Sequence, residues 1–192
     1  FYDYYGGYIE AKNLGIVDHL VIGDYRIGCG KGLVIGRYHV SKSSTNTQSP
    51  QGISPQQGTN ETNILRGAAI TMSHLNFKAS VFGSYSALDA TLSETGNSVQ
   101  TIINTGLHRT ESEREKKHNL YETLISSHLE WSRNLDKNYL NIGITGTWRH
   151  TSITLDPRPK KTRSTIYRDI YPNGKDWGVF GIIYEWSSYR WE

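Results

Sequence analysis

The chain has 192 residues, and its 21 Lys and Arg against 18 Asp and Glu give a formal charge of +3 from signs that are nearly balanced and interspersed. No basic face announces a polyanionic partner, a single Cys excludes an intrachain disulfide framework and a Cys-based zinc site, and no apolar run approaches the ~18 residues of a transmembrane helix. Hydrophobic residues reach only 36% but aromatics reach 11%, which argues against disorder and leaves open a membrane β-barrel, whose signal lies in alternation.

The chain opens, without Met, on Phe1-Tyr2-Asp3-Tyr4-Tyr5, which reads like the middle of a strand and is expected to belong to a fragment or a mature piece. Weak alternation over residues 8–13 and 20–27 predicts the first two strands. A third follows from Ala68, Ile70 and Met72 against Thr71 and Ser73. The clearest strand spans 77–87: Phe77, Ala79, Val81, Gly83, Tyr85 and Ala87 share one face, Lys78, Ser80, Ser84 and Ser86 the other, and only Phe82 breaks the pattern. A fifth places Ile125, Leu129 and Trp131 against Ser126, His128, Glu130 and Ser132. A sixth places Leu140, Ile142, Ile144 and Trp148 against Asn141, Thr145, Thr147 and Arg149, and a seventh spans 177–191.

Many of these strands approach the ~9 to 11 residues that a tilted strand needs to cross a bilayer. Their connections alternate short (14–18, 75–76, 133–138) with long (36–63, 89–119, 154–175), the rhythm of a meander with tight turns at one end and large loops at the other. The expected architecture is therefore one all-β domain over residues 1–192, an antiparallel up-and-down transmembrane β-barrel or part of a larger one. Seven strands is an odd count, and single-chain bacterial barrels normally close with an even one, so further strands are expected. Residues 41–63 are Ser, Thr, Asn, Gln, Gly and Pro with Ile53 as their only large apolar side chain, the composition of a surface loop. In the second long loop Thr110 and Glu113 have capping-box spacing, which predicts a short helix over 111–117. The third carries the basic, proline-stiffened stretch Asp156-Pro157-Arg158-Pro159-Lys160-Lys161.

Chemistry-bearing motifs are sparse. Gly28-Cys29-Gly30-Lys31-Gly32 fits neither phosphate-loop nor dinucleotide spacing and precedes a β-prone stretch, so a glycine-bent strand is expected there and Cys29 is a bystander. The seven His residues include no metal-binding pair, and Asn60-Glu61-Thr62 is a sequon of consequence only in a eukaryotic secreted protein. The charges on apolar strands say more: Asp24, Arg26, Lys78, Glu130 and Arg149 are expected to face the lumen, because lipid exposure of Arg or Lys near the midplane costs about 2–4 kcal/mol. They are expected to pair rather than form a one-signed ring, lining either a pore or a filled, rigid interior. Tyr8, Tyr121, Trp131, Tyr139, Trp148 and Trp177 are expected in interfacial aromatic girdles.

Three stretches carry a resemblance. Val21-Ile22-Gly23-Asp24-Tyr25-Arg26-Ile27-Gly28-Cys29-Gly30-Lys31-Gly32-Leu33, Ser84-Tyr85-Ser86-Ala87-Leu88-Asp89-Ala90-Thr91-Leu92 and Gly106-Leu107-His108-Arg109-Thr110-Glu111-Ser112-Glu113 together resemble, in order, segments of Bacteroidetes outer-membrane barrels that carry helix-hairpin-helix motifs ahead of the barrel. Here Cys29 and Lys31 replace an aromatic residue and Gln, and no helix-hairpin-helix segment occurs. The resemblance implies an envelope barrel and transfers no catalytic residue.

The function expected is that of a non-enzymatic outer-membrane protein that passes or binds a solute or macromolecule. Its partners would be the lipid bilayer with lipopolysaccharide and other envelope proteins, with no cofactor and no direct nucleic-acid site. The competing reading is a secreted or periplasmic β-sandwich or small barrel that binds glycans or apolar ligands through Tyr and Trp. The two differ in whether the Phe77/Val81/Tyr85 and Leu140/Ile144/Trp148 faces point outward or into a core.

Overall fold

A computed structural model describes residues 6–35, 52–57, 64–103, 110–136, 138–156 and 172–188. The fold is all-β with one short helix. Its elements in order are β1 (Tyr8–Leu14), β2 (Val17–Gly28), β3 (Gly52–Pro55), β4 (Leu65–His74), β5 (Phe77–Leu92), β6 (Ser98–Ile103), α1 (Glu111–Arg114), β7 (Leu120–Leu135), β8 (Asn138–Leu155) and β9 (Gly174–Ser188). Apart from the short β3 and β6, each strand pairs antiparallel with the strand before it, giving the neighbour order β1, β2, β4, β5, β7, β8, β9. Three links in this ladder are two-residue turns, closed by Leu14 opposite Val17, His74 opposite Phe77 and Leu135 opposite Asn138.

The long connections contain more structure than loops. β3 extends the edge of β2 beyond the start of β1, pairing Ile53 with Ile27. The stretch 89–119, expected as a loop, contains the end of β5, then β6, then α1. β6 pairs antiparallel with β5 and, through Ser98 and Val99, parallel with the end of β8, so β5, β7, β8 and β6 close a small four-strand barrel at that end. Its inside is a dry cluster of Ala90, Val99, Leu120 and Leu155, packed by Leu88, Leu92, Ile102 and Ile153. That burial explains why β6 forms within an apparently polar connection: four apolar residues from β6 and the strand ends have somewhere to go. In α1, the Glu113 amide donates to Thr110 Oγ1 and the Thr110 amide donates to the Glu113 carboxylate, the reciprocal cap that the spacing predicts.

One face of the long strands is covered and the other open, with the polarity reversed from that of a water-soluble sheet. The covered face includes Thr71, Ser80, Ser84, Ser126, His128, Asn141, Thr145 and Thr147, all buried. On the open face Val81 is 45% and Ile144 51% exposed, with Ile22, Phe77, Tyr85, Ile125, Leu129, Trp148, Ile182 and Tyr184 exposed alongside them. Phe82, the exception to alternation on β5, lies on the covered face in an apolar cluster with Val21, Tyr25, Ile27, Cys29, Ile35, Ile53, Ala69 and Leu124. The interior is thus apolar at one level and hydroxyl-rich at others.

At the tight-turn end, Leu75 has φ 53° and is 87% exposed. A left-handed backbone costs an ordinary L-residue about 1–2 kcal/mol, and Asn tolerates it better. Leu75→Asn is expected to raise stability by about 0.5–1 kcal/mol, read as a higher urea midpoint at unchanged m-value. A lower midpoint would reject strain at this turn.

Candidate functional site

The covered face carries three polar layers, each set by cross-strand register. Nearest the tight turns, Lys78 stands opposite Glu130, and Asn141 Nδ2 donates to Glu130 Oε1 at 2.7 Å. His128, two residues along β7, hydrogen-bonds Thr145 Oγ1 through Nδ1 at 2.8 Å and lies 3.5 Å from Glu130 Oε2 through Nε2. At the level of His128, Ser80 shares a 2.8 Å hydroxyl contact with Thr71, and in the next layer Ser126 Oγ donates to Gly146 O and contacts Thr147 Oγ1, both at 2.7 Å. Nearest the small barrel, Arg149 Nη1 donates to both oxygens of Glu122 at 3.0 Å, and its guanidinium lies 5.1 Å from the Trp177 ring centroid.

Some polar atoms on this face have no protein partner: Ser84 Oγ, Ser86 Oγ, Asn141 Oδ1 and Trp177 Nε1 are buried without one. Buried hydroxyls and amides without partners are costly in a dry interior, so hydration is the chemistry these positions call for. The relay Glu130–His128–Thr145 has the residue types of a charge-relay triad. Thr145 is only 2% exposed, however, and a Cβ on Gly30 would lie 2.8 Å from its hydroxyl, so a substrate carbonyl has no approach there. Among the described residues no group of three or more His, Cys, Asp or Glu could hold a metal ion.

The glycine-rich stretch after β2 is not a bent strand. β2 ends at Gly28, and Gly30–Gly32 form a 3-10 turn that folds over the covered face. Gly30 has φ +63°, and a Cβ there would also come within 2.9 Å of Ile183. Lys31 Nζ reaches Glu185 of β9 at 2.9 Å, and a side chain at Gly181 would meet Val34 at 2.7 Å. The segment therefore fills the interior against β8 and β9. Cys29 is buried within it, and burial pushes its thiol pKa up to about 11.

The predicted charged residues divide. Lys78, Glu130 and Arg149 lie on the covered face. Asp24 does not: alternation along β2 puts it with Ile22, on the opposite side from Val21 and Tyr25, and Arg26 follows it, opposite Ser54 of β3. Asp24 tolerates that face because Arg66 of β4, its register partner, donates to Oδ1 at 2.7 Å and Oδ2 at 3.1 Å, and the Gly7 amide donates to Oδ2 at 3.1 Å. Neither Arg66 nor Glu122 was singled out from sequence: Arg66 stands directly across the ladder from Asp24, and Glu122 lies two residues from Leu124, the register partner of Arg149, on the same face. The aromatics divide as well. Tyr121, Trp131 and Trp148 occupy the open face, where Tyr121 stacks on Tyr85 at 5.7 Å. Tyr8, Tyr139 and Trp177 point to the side of Glu10, Asn141 and Arg149, because their registers oppose Gly23, Ser187 and Arg149; Tyr139 and Trp177 are partly covered there, whereas Tyr8, on the edge strand, is 41% exposed. Phe77, Tyr85, Phe180, Tyr184 and Trp186 complete the open-face aromatics instead.

Compared with protein-family models, curated proteins and solved structures, the chain matches none.

Two outcomes test this interior. With its pKa raised from 9.0 to about 11, Cys29 holds about a hundredfold less thiolate at neutral pH than an ordinary thiol. Alkylation should be at least that much slower in folded than in unfolded protein and should accelerate as pH rises toward 11; labelling at the unfolded rate would place Cys29 outside. Glu122→Ala removes the partner of a half-buried Arg149 and should cost about 1–3 kcal/mol in chemical denaturation. A change below about 0.5 kcal/mol would assign the pair to open water.

Proposed function

We propose that this chain forms all or part of the wall of a bacterial outer-membrane β-barrel, a non-enzymatic protein that binds a solute or macromolecule at the cell envelope. The observation that carries the reading is the inversion of burial. Val81, Ile125, Leu129, Ile144 and Ile182 are exposed on one continuous face while Ser80, Ser126, Thr145 and Thr147 are buried on the other. In water such a face would exceed the few hundred Å² of contiguous apolar surface that soluble monomers expose. Against hydrocarbon it is the favoured arrangement, because strands that pair with one another leave few backbone groups unsatisfied.

Dimensions agree with this reading. The residues from Phe77 to Tyr85 span about 27 Å along the strand at ~3.4 Å per residue, or about 20 Å when tilted by ~40°, near the ~25 Å apolar band of such barrels. Aromatics mark both limits on the open face, with Phe77, Trp131, Tyr184 and Trp186 at the tight-turn end and Tyr85, Tyr121 and Trp148 at the other. The partners implied are the bilayer and lipopolysaccharide. Binding is favoured over conduction because the Tyr25, Phe82 and Leu124 cluster and the turn at Gly30–Gly32 occupy the interior. A glycan-binding sandwich would need Val81 and Ile144 in its core, and both are exposed.

Val81→Arg and Ile144→Arg provide the test. In lipid each should cost about 2–4 kcal/mol of folding free energy and reduce membrane-inserted protein. A water-soluble fold would accept either exposed change within about 0.5 kcal/mol, and that outcome would overturn the reading. Planar bilayers should stay silent with the purified protein; stable channels would move the function from binding to passage.

A further inference from the structure

Gly30, Lys31 and Gly32 are three consecutive left-handed residues, with φ +63°, +58° and +78°. Glycine adopts that backbone freely, whereas a side chain is penalised there. The middle position nevertheless carries a lysine, and residues held in such a conformation gather where a side chain has a task. The far end of Lys31 shows what it does: Nζ lies 2.9 Å from Glu185 Oε2, in a pair whose side chains are 51% and 39% exposed. An ion pair this open to water contributes little to stability, so stability alone does not account for a lysine between two glycines.

Glu185 stands directly across the ladder from Asn141 of β8, a spacing of about 5 Å between side-chain roots. Asn141 Nδ2 donates to Glu130 Oε1 at 2.7 Å. A carboxylate only accepts, so the amide turns its nitrogen to Glu130 and its oxygen elsewhere. That oxygen is buried without a partner, on a side chain only 9% exposed. Acceptors therefore follow one another along the covered face, from Glu130 through Asn141 Oδ1 to Glu185. Lys78 stands opposite Glu130, and His128 Nε2 lies 3.5 Å from its carboxylate, whereas Glu185 takes its positive charge from Lys31. Resting on the reading of this chain as a binding protein, we propose that Glu185, Asn141 Oδ1 and Glu130 form a site for the alkylammonium group of a solute. Lys31 is its built-in occupant, displaced when the solute binds. The charge complements an ammonium, because two carboxylates face Lys78 alone once Lys31 has left. The orphaned amide oxygen calls for a donor. Ile183, two residues along β9 on the same side, gives an alkyl stem an apolar neighbour.

Lys31→Gly removes the internal ammonium and suits the left-handed backbone, so it does not burden the fold. The probe is n-butylammonium, a lysine side chain without its backbone, titrated by calorimetry into purified protein in detergent. Lys31→Gly should bind it about tenfold more tightly than the unaltered chain, whose site Lys31 occupies most of the time. Uncharged n-butanol, of the same length, should not bind. Adding Glu185→Gln to Lys31→Gly should weaken butylammonium binding about tenfold or more, since a charge-assisted hydrogen bond is lost. Equal affinity with and without Lys31, equal binding of butanol, binding that survives Glu185→Gln, or no binding to Lys31→Gly would each overturn the proposal. Competition by cadaverine or by a trilysine peptide tells a small amine from a polypeptide lysine as the source of the ammonium. Membrane fractionation of the same preparations separates this from the underlying reading. Membrane-inserted protein that ignores butylammonium sinks the site alone, whereas protein in the soluble fraction sinks the membrane assignment and leaves the site to the titration.

Discussion

A strand has a side-chain period of two, and two-residue turns leave no slack in register. Wherever the ladder runs unbroken between its irregularities at Val17–His19 and His150–Leu155, the side on which one residue falls therefore decides the side of the others. Leu14 opposite Val17, His74 opposite Phe77 and Leu135 opposite Asn138 pin three hairpins. The register between hairpins, from Tyr25 opposite Leu65 and from Leu88 opposite Leu120, carries the same parity across the sheet. A slip of one residue would turn Ser80, Ser126 and Thr145 outward and Val81, Ile125 and Ile144 inward at once, with no intermediate arrangement. The reversed polarity of the two faces is therefore a property of the whole ladder.

Where charge falls on the wrong side of that parity, local chemistry compensates. Asp24 shares a face with Ile22, and the fold gathers around it: the Gly7 amide and the Arg66 guanidinium bind its carboxylate, while its backbone N–H donates to Gly7 O and its carbonyl accepts from the Gln56 amide. One residue thus ties β1, the end of β3 and β4 to β2. Gly23 beside it has φ +111°, and a Cβ there would collide with Gly7 O at 2.2 Å, so the close approach of β1 to β2 at this point depends on the missing side chain. Tyr25 Oη donates to Gly83 O on β5 at 2.8 Å, reaching across β4 and fixing the curl of the sheet from inside.

What the sequence made legible follows from the same physics. The strands at 77–87 and 140–149 were readable because apolar and polar side chains alternate without a break there except at Phe82, and the helix cap because Thr110 and Glu113 supply both halves of it. Alternation fails as a guide wherever the covered face changes chemistry. At Leu120 and Leu124 it becomes apolar, so the first residues of β7 give no contrast and nothing in the alternation marks Glu122 between them. The six residues of β6 are too few to show a period, and the inward fold of Gly30–Gly32 depends on contacts with Thr145 and Ile183, more than a hundred residues away in sequence. Weak alternation over 20–27 puts Asp24 and Arg26 together on one face, and their charge marks that face as the polar one; a charge with a partner across the ladder can sit on either face.

The small barrel of β5, β6, β7 and β8 lies at the long-loop end of these strands, beyond the level of Tyr85 and Trp148, and its Ala90, Val99, Leu120 and Leu155 cluster is an inward-facing oil drop of the soluble kind. Under the proposed reading one continuous set of strands is held by two different solvents. The cap gains from expelling water, with the positive heat capacity of unfolding that this entails, whereas the wall surrounded by acyl chains gains little from apolar contact with its neighbours. Cooling weakens the first contribution and leaves the second nearly untouched. The strands of β5, β7 and β8 would then fray from their outer ends inward in the cold, which makes the cap, and whatever it holds, the temperature-sensitive part of an otherwise rigid wall.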